Sequence, residues 1–263
     1  MDRILGVDFS GARDAGRKLW LTVCVEREGK LHVKSSVPAE SQFDADSREE
    51  ALAGLREAIK RADVAGVDFP FGLPARVHDF DRWEDACAWV AETVDGPADL
   101  RERCVERTRE ATGGDRAYLR RATDSRYDAR SPYHWSVAAK TYYGITNVLW
   151  PLLEAGTITA EPMQDGGGTP VCEVYPAGTL SDIGLPAEHY RDDVPAARDR
   201  RATIVEGLQL TPLSLHGIED HLIEDVGGDA IDSALAALSA WRASREGFSP
   251  DGPYDDVEGH MYI

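Results

Sequence analysis

The sequence predicts an α/β protein in which a mixed five-stranded sheet carries helices on its faces. Three features support this: three strand-like segments at the N-terminus, a helix-patterned stretch that separates them from a fourth, and a repeated tetrad. Gly-Val-Asp-Phe occurs at residues 6–9 and again at 66–69, each time closing an apolar run.

Residues 3–9 read as a buried strand. "KLWLTVCVE" (18–26) and "KLHVKSSV" (30–37) follow, joined by the turn "REGK". Their β-branched residues and partial alternation suggest an antiparallel meander with the first strand. A helix is expected over 47–61, where Ser47 and Glu50 form a capping box and Leu52, Leu55 and Ile59 the apolar stripe. "DVAGVDF" then reads as a short buried strand. Because a helix precedes it, it should lie parallel to a neighbour through a right-handed crossover.

Residues 75–156 are helical and polar, an insertion within one domain spanning 1–263, and its last helix is expected near 136–154. The "QDGGGTP" segment (164–170) lacks the Lys-Ser/Thr of a P-loop and reads as a flexible loop. It leads into the strand "VCEVY", which Pro176 ends. Helices are expected over 196–208 and 229–245, and "VEGHMYI" closes the chain as a short strand or ordered tail. In a sheet of this order the first and fourth strands can be parallel neighbours. That would bring Asp8 and Asp68 together at their carboxyl ends, where α/β sites form.

Composition narrows the function. No apolar run approaches the length of a membrane span, and the sequence enters a strand without a basic leader or cleavage site, so the expected compartment is the cytoplasm. Cys24, Cys87, Cys104 and Cys172 form no CxxC pair, which argues against disulfides and a thiolate zinc site. His216 and His221 are spaced wrongly to meet on a helix face. The net charge of −18 ordinarily argues against nucleic-acid partners. Yet the basic residues are 5 lysines against 24 arginines. Abundant acid with few lysines resembles halophilic adaptation, in which salt screens a charged surface. Local charge then matters more than the total.

Two carboxylates held close together repel, and a fold retains such a pair when a divalent cation neutralises it. Hard oxygen ligands suit Mg²⁺ or Mn²⁺. Either aspartate alone would read as a cap on the loop after a strand; the repetition favours a site. Glu173, among apolar neighbours in its strand, reads equally as a site member and as the partner of an arginine. Asp229 and Asp232 are three apart on one face of a helix start. Asp229 also reads as an N-cap, whereas Asp232 lies inside the helix. That face continues with Ala236, Ser239 and Ala240, small enough for close approach to the sheet. A basic stretch, "DRAYLRRATDSRYDARSPYHW", interleaves Arg116, Arg120, Arg121, Arg126 and Arg130 with Tyr118, Tyr127, Tyr133 and Trp135. Arginine forks fit phosphate oxygens and aromatic faces stack on bases. It reads equally as a solvated face paired to Asp115, Asp124 and Asp128.

"GVDFSGA", "GVDFPFGLP", "EVYPAGTL", "DAIDSALAALSAW" and "EGHMYI" together resemble the domain-of-unknown-function family 429 (DUF429) over nearly the whole chain. The resemblance implies a ribonuclease H-like fold and a nuclease activity. It carries the family's acids onto Asp8, Asp68, Glu173 and Asp232, and the family's Arg-x-x-Asp onto Arg121 and Asp124. The tail departs from the pattern, because His260 and Met261 intervene before the final aromatic residue and Ile. The expected activity is phosphodiester hydrolysis on a nucleic acid or nucleotide phosphoester with two metal ions. Asp8 would bridge the ions, Asp68 and Asp232 with Glu173 or Asp229 would complete the shells, and Arg120, Arg121, Arg126 and Arg130 beside Asp124 would hold the substrate. Two rivals stand beside it. One is a non-catalytic nucleic-acid or nucleotide-binding module with a vestigial site. The other is an actin- or sugar-kinase-like phosphotransferase, which needs two such domains.

Overall fold

A computed structural model describes all 263 residues. They form two compact units, Met1–Asp68 with Thr169–Phe248 and Tyr262–Ile263, and Phe69–Gly168 with Ser249–Met261. The strands in chain order are β1 (Ile4–Asp8), β2 (Trp20–Arg27), β3 (Lys30–Pro38), β4 (Val64–Val67), β5 (Ile158–Glu161), β6 (Thr169–Val174), β7 (Leu213–Ser214) and β8 (Met261–Tyr262).

In the first unit the sheet order is β6-β4-β1-β2-β3-β7, with β8 beside β6. The meander β1–β2–β3 is antiparallel, while β1–β4, β4–β6 and β3–β7 are parallel. The sheet is therefore mixed α/β as the sequence implies, and larger than the five expected strands. The extra pieces are two-residue strands, too short to leave a periodicity. The crossover helix Arg48–Lys60 starts at Ser47, whose capping box with Glu50 is formed in both directions.

One face of the sheet is covered by the helix Asp229–Arg245, buried over nearly its whole length. Its packing depends on the two tetrad glycines. A Cβ on Gly6 would stand 2.1 Å from the Ser233 carbonyl oxygen, and one on Gly66 would stand 2.5 Å from that of Ala236. Only glycine at both positions lets the helix backbone lie this close to the sheet. Polar contacts fix its register: the Ser233 hydroxyl is 2.7 Å from that of Thr22, and the Ser239 hydroxyl 2.9 Å from that of Thr179.

The second unit is mainly helical. Trp83–Thr93 and Pro97–Thr112 are followed by the short helix Ala122–Arg126 and by a helix over 138–154 that contains one wide turn, Ile145–Leu149. Gly113, with φ of +64°, ends the long helix in the left-handed conformation that favours glycine. The four cysteines are buried thiols that form no disulfide. No helix is long and apolar enough to cross a membrane.

Candidate functional site

The register of the first unit sets its acids. Gly6 pairs with Gly66 and Val7 with Val67, so the next residues, Asp8 and Asp68, leave the ends of adjacent parallel strands side by side. The Asp68 N–H donates to the Val7 carbonyl at 3.0 Å, which carries the alignment one residue past the ladder. Alternation along a strand puts Asp8 on the face of Gly6 and Asp68 on the face of Gly66, the face covered by the last helix. Asp232 enters from that helix, one residue before the Ser233 carbonyl that lies over Gly6. Asp8 is 6% exposed and Asp232 1%.

Glu173 takes a different direction. It pairs with Val67, not with the position of Asp68, so the pleat turns its buried side chain to the opposite face of the sheet. Asp229 is half-buried in the first turn of the last helix behind Gly228. The carboxylate that caps this helix is Asp225, which accepts from the Ala230 N–H at 2.9 Å.

Arg191, which no sequence pattern marks, brings a positive charge to the cluster. Its guanidinium forms an ion pair with Asp232 and donates to the Tyr190 hydroxyl at 2.9 Å. Tyr190, fully buried, donates in turn to Asp232 at 2.6 Å. Asp232 is the main influence that pushes the Arg191 pKa upward, and Tyr190, Asp8 and Asp68 add to it. One guanidinium thus stands in the field of three aspartates. Its side chain is 49% exposed, so one side of the head faces solvent. Nothing in "EHYRDD" marks this arginine among 24, since it lies in a segment without helix or strand periodicity.

The donor set suits a hard divalent cation in kind, being three carboxylates in one strong negative field. No three His, Cys, Asp or Glu side chains converge closely enough to form a ligand shell. Arg191 places a cation among these acids.

The arginines of the basic stretch separate into two groups in the second unit. Arg121 and Asp124 are fully buried and form a two-pronged ion pair, 3.0 Å from Nε to Oδ2 and 2.8 Å from Nη2 to Oδ1. Arg121 also donates to the Glu258 carbonyl at 3.4 Å. The Glu258 carboxylate accepts from the Ala75 and Ala122 N–H groups at 2.7 and 2.8 Å, and burial pushes its pKa up. Arg126 pairs with Asp251 at 2.9 Å. Arg120 and Arg130, with Arg76 and Arg116, line a cavity of about 760 Å³.

Comparison with curated proteins and with solved structures finds no match for this sequence. The family model described as a protein of unknown function (DUF429) matches residues 6–255, and the chain belongs to that family.

Proposed function

We propose that the first unit is a metal-dependent phosphodiesterase of the ribonuclease H-like kind, acting as a nuclease at Asp8, Asp68 and Asp232. The observation that carries the reading is that Asp8 and Asp68 leave adjacent parallel strand ends side by side, while the Arg191 guanidinium lies in the field of both and of Asp232 on the glycine-seated helix. Carboxylates gathered this way repel one another, an arrangement kept for function rather than for stability. Asp8, Asp68 and Asp232 would hold Mg²⁺ or Mn²⁺. When bound, the cation supplies Lewis-acid stabilisation of the charge that builds on the phosphoryl group. Arg191 offers a planar fork with a solvent-facing side, which suits two oxygens of a phosphodiester. Tyr190 and Asp232 engage its Nη2 end, so the guanidinium is oriented before a substrate arrives.

The Arg191–Asp232 ion pair also favours a second reading. In a binding module with a vestigial site, the guanidinium would serve as a permanent counter-ion and no metal would enter. Thermal melts with and without Mn²⁺ separate the two, run beside a cleavage assay on single-stranded, duplex and hybrid substrates. Under the hydrolase reading Mn²⁺ raises the melting temperature of the wild type through preferential binding to the native state. Asp8→Asn should fold, lose most of that shift, and cleave at least about 100-fold more slowly, since a ligand has been lost. The same Mn²⁺ shift in wild type and Asp8→Asn would remove the hydrolase reading. Absence of any shift in the wild type would favour the module.

A further inference from the structure

The second unit holds a cavity of about 760 Å³ with a marked chemical character. Four arginines line it, Arg76, Arg116, Arg120 and Arg130, and Tyr118 and His134 form an aromatic wall with ring centroids 5.0 Å apart. In a chain of net charge −18 such a concentration of guanidinium is a strong local departure. The arginines are only partly neutralised. Arg120 pairs with Asp128 at 2.8 Å, Arg130 donates to the Ser136 hydroxyl at 2.7 Å, and Arg76 donates to the Ala111 carbonyl at 2.8 Å. Neither Arg76 nor Arg130 spends its charge on a carboxylate in these contacts. Glu258, the one acid of the lining, is drawn away by two backbone N–H groups.

Two further features fit an anion with an aromatic part. The buried Ser131 belongs to the lining and lies beside the Tyr133 hydroxyl. His134 is held toward its neutral form by burial and by the nearby Arg130 and Arg101, so it adds an aromatic face rather than another charge. The volume lies within the 300–1,000 Å³ typical of small-ligand pockets.

We propose that this cavity binds a nucleotide unit, its phosphoryl group on Arg116, Arg120 and Arg130 and its base against Tyr118 and His134. Guanidinium forks match phosphate oxygens, and a π face accepts any base. The inference goes beyond the hydrolase reading and does not rest on it. A free nucleotide and the phosphorylated end of a single strand present the same chemistry.

Isothermal titration in EDTA tests it without metal and without turnover. The probes are AMP, ribose 5-phosphate, inorganic phosphate and a 5′-phosphorylated pentanucleotide. AMP or the pentanucleotide should bind at least about tenfold tighter than ribose 5-phosphate, the increment that base stacking gives. Tyr118→Leu should erase that advantage while leaving ribose 5-phosphate binding unchanged. Arg116→Gln and Arg130→Gln, both at exposed positions, should each weaken nucleotide binding by about tenfold. Asp8→Asn should bind as the wild type does, which separates this site from the acid cluster. Tight AMP binding identifies a free nucleotide, and binding of the pentanucleotide alone identifies a strand end. Equal affinity for AMP and inorganic phosphate, or nucleotide binding unchanged in the double variant Arg116→Gln/Arg130→Gln, would overturn the proposal. So would no binding of AMP and of the pentanucleotide.

Discussion

Arg121 in the second unit and Arg191 in the first both grip a buried aspartate, but their surroundings differ. Arg121 is fully enclosed, faces Asp124 with two prongs, and also donates to the Glu258 backbone carbonyl. Its charge meets the Asp124 carboxylate head-on. Arg191 is half in water and answers to Asp232, Asp8 and Asp68 together. A balanced, enclosed pair specifies a fold, because removing either partner strands a charge in a low-dielectric interior. An unbalanced, half-open group, one guanidinium in the field of three carboxylates, is of the kind found where ligands bind. The same pair of residue types therefore reads as structural in one unit and functional in the other.

The sharpest way to break that contrast is to attack the balanced pair. Asp124→Asn should cost roughly 3–5 kcal/mol in denaturant unfolding, since it leaves the enclosed Arg121 guanidinium without its counter-charge. A loss below about 1 kcal/mol would show that water reaches the pair and that its enclosure is not what matters.

Acid should reach the second unit through a neighbouring residue. His260 has no exposed surface, and burial holds its pKa down at about 4 despite the opposing pull of Asp251. In the unfolded chain it titrates near 6.5. The unfolded state therefore binds the extra proton between these values. The contribution of His260 to stability is complete above pH 6.5 and is lost as pH falls towards 4. The wild type should lose up to about 3 kcal/mol more than His260→Gln across that window. Parallel pH profiles for the two proteins would mean that the imidazole protonates without penalty.

The unbalanced group should lose less stability than the balanced one and should respond to metal. Arg191→Gln removes a cation from the field of three aspartates, which should lower stability in EDTA by about 1–2 kcal/mol, moderated by the half-exposed position. The variant should then gain a larger Mn²⁺ shift in melting temperature than the wild type. A smaller shift would make Arg191 a helper of metal binding instead of its competitor.

The gentlest test concerns the whole surface. Excess acid should repel itself least at high ionic strength, so melting should occur at higher temperature in molar KCl than in dilute buffer. Each kcal/mol of relieved repulsion corresponds to about 2–4 °C. Equal melting temperatures would mean that the arginine bias carries no salt dependence.

Much of the first unit was legible in advance, because its signals are local. The Ser47–Glu50 capping box, the meander and the apolar stripe of the crossover helix each sit within a few residues, and each forms as read. The repeated tetrad held more than its acids, since its glycines seat the last helix against the sheet. Glu173 shows the limit of such reading: an acid in a buried strand was visible, but its face depends on the Val67–Glu173 register, a pairing between strands far apart in sequence.

The sequence by itself determined the strand order of the meander and crossover, the adjacency of Asp8 and Asp68, and the small-residue face of the helix that carries Asp232. These follow from periodicity, capping and side-chain size, which act over a few residues. Tertiary structure alone decided that Arg121 is enclosed while Arg120 and Arg130 line a cavity, although all three share one stretch of chain. It alone brought Arg191 to the aspartates, from a segment with no pattern of its own. The reason is physical: a guanidinium is recruited by the charge that surrounds it in space, and no local preference records which of 24 arginines that charge will reach.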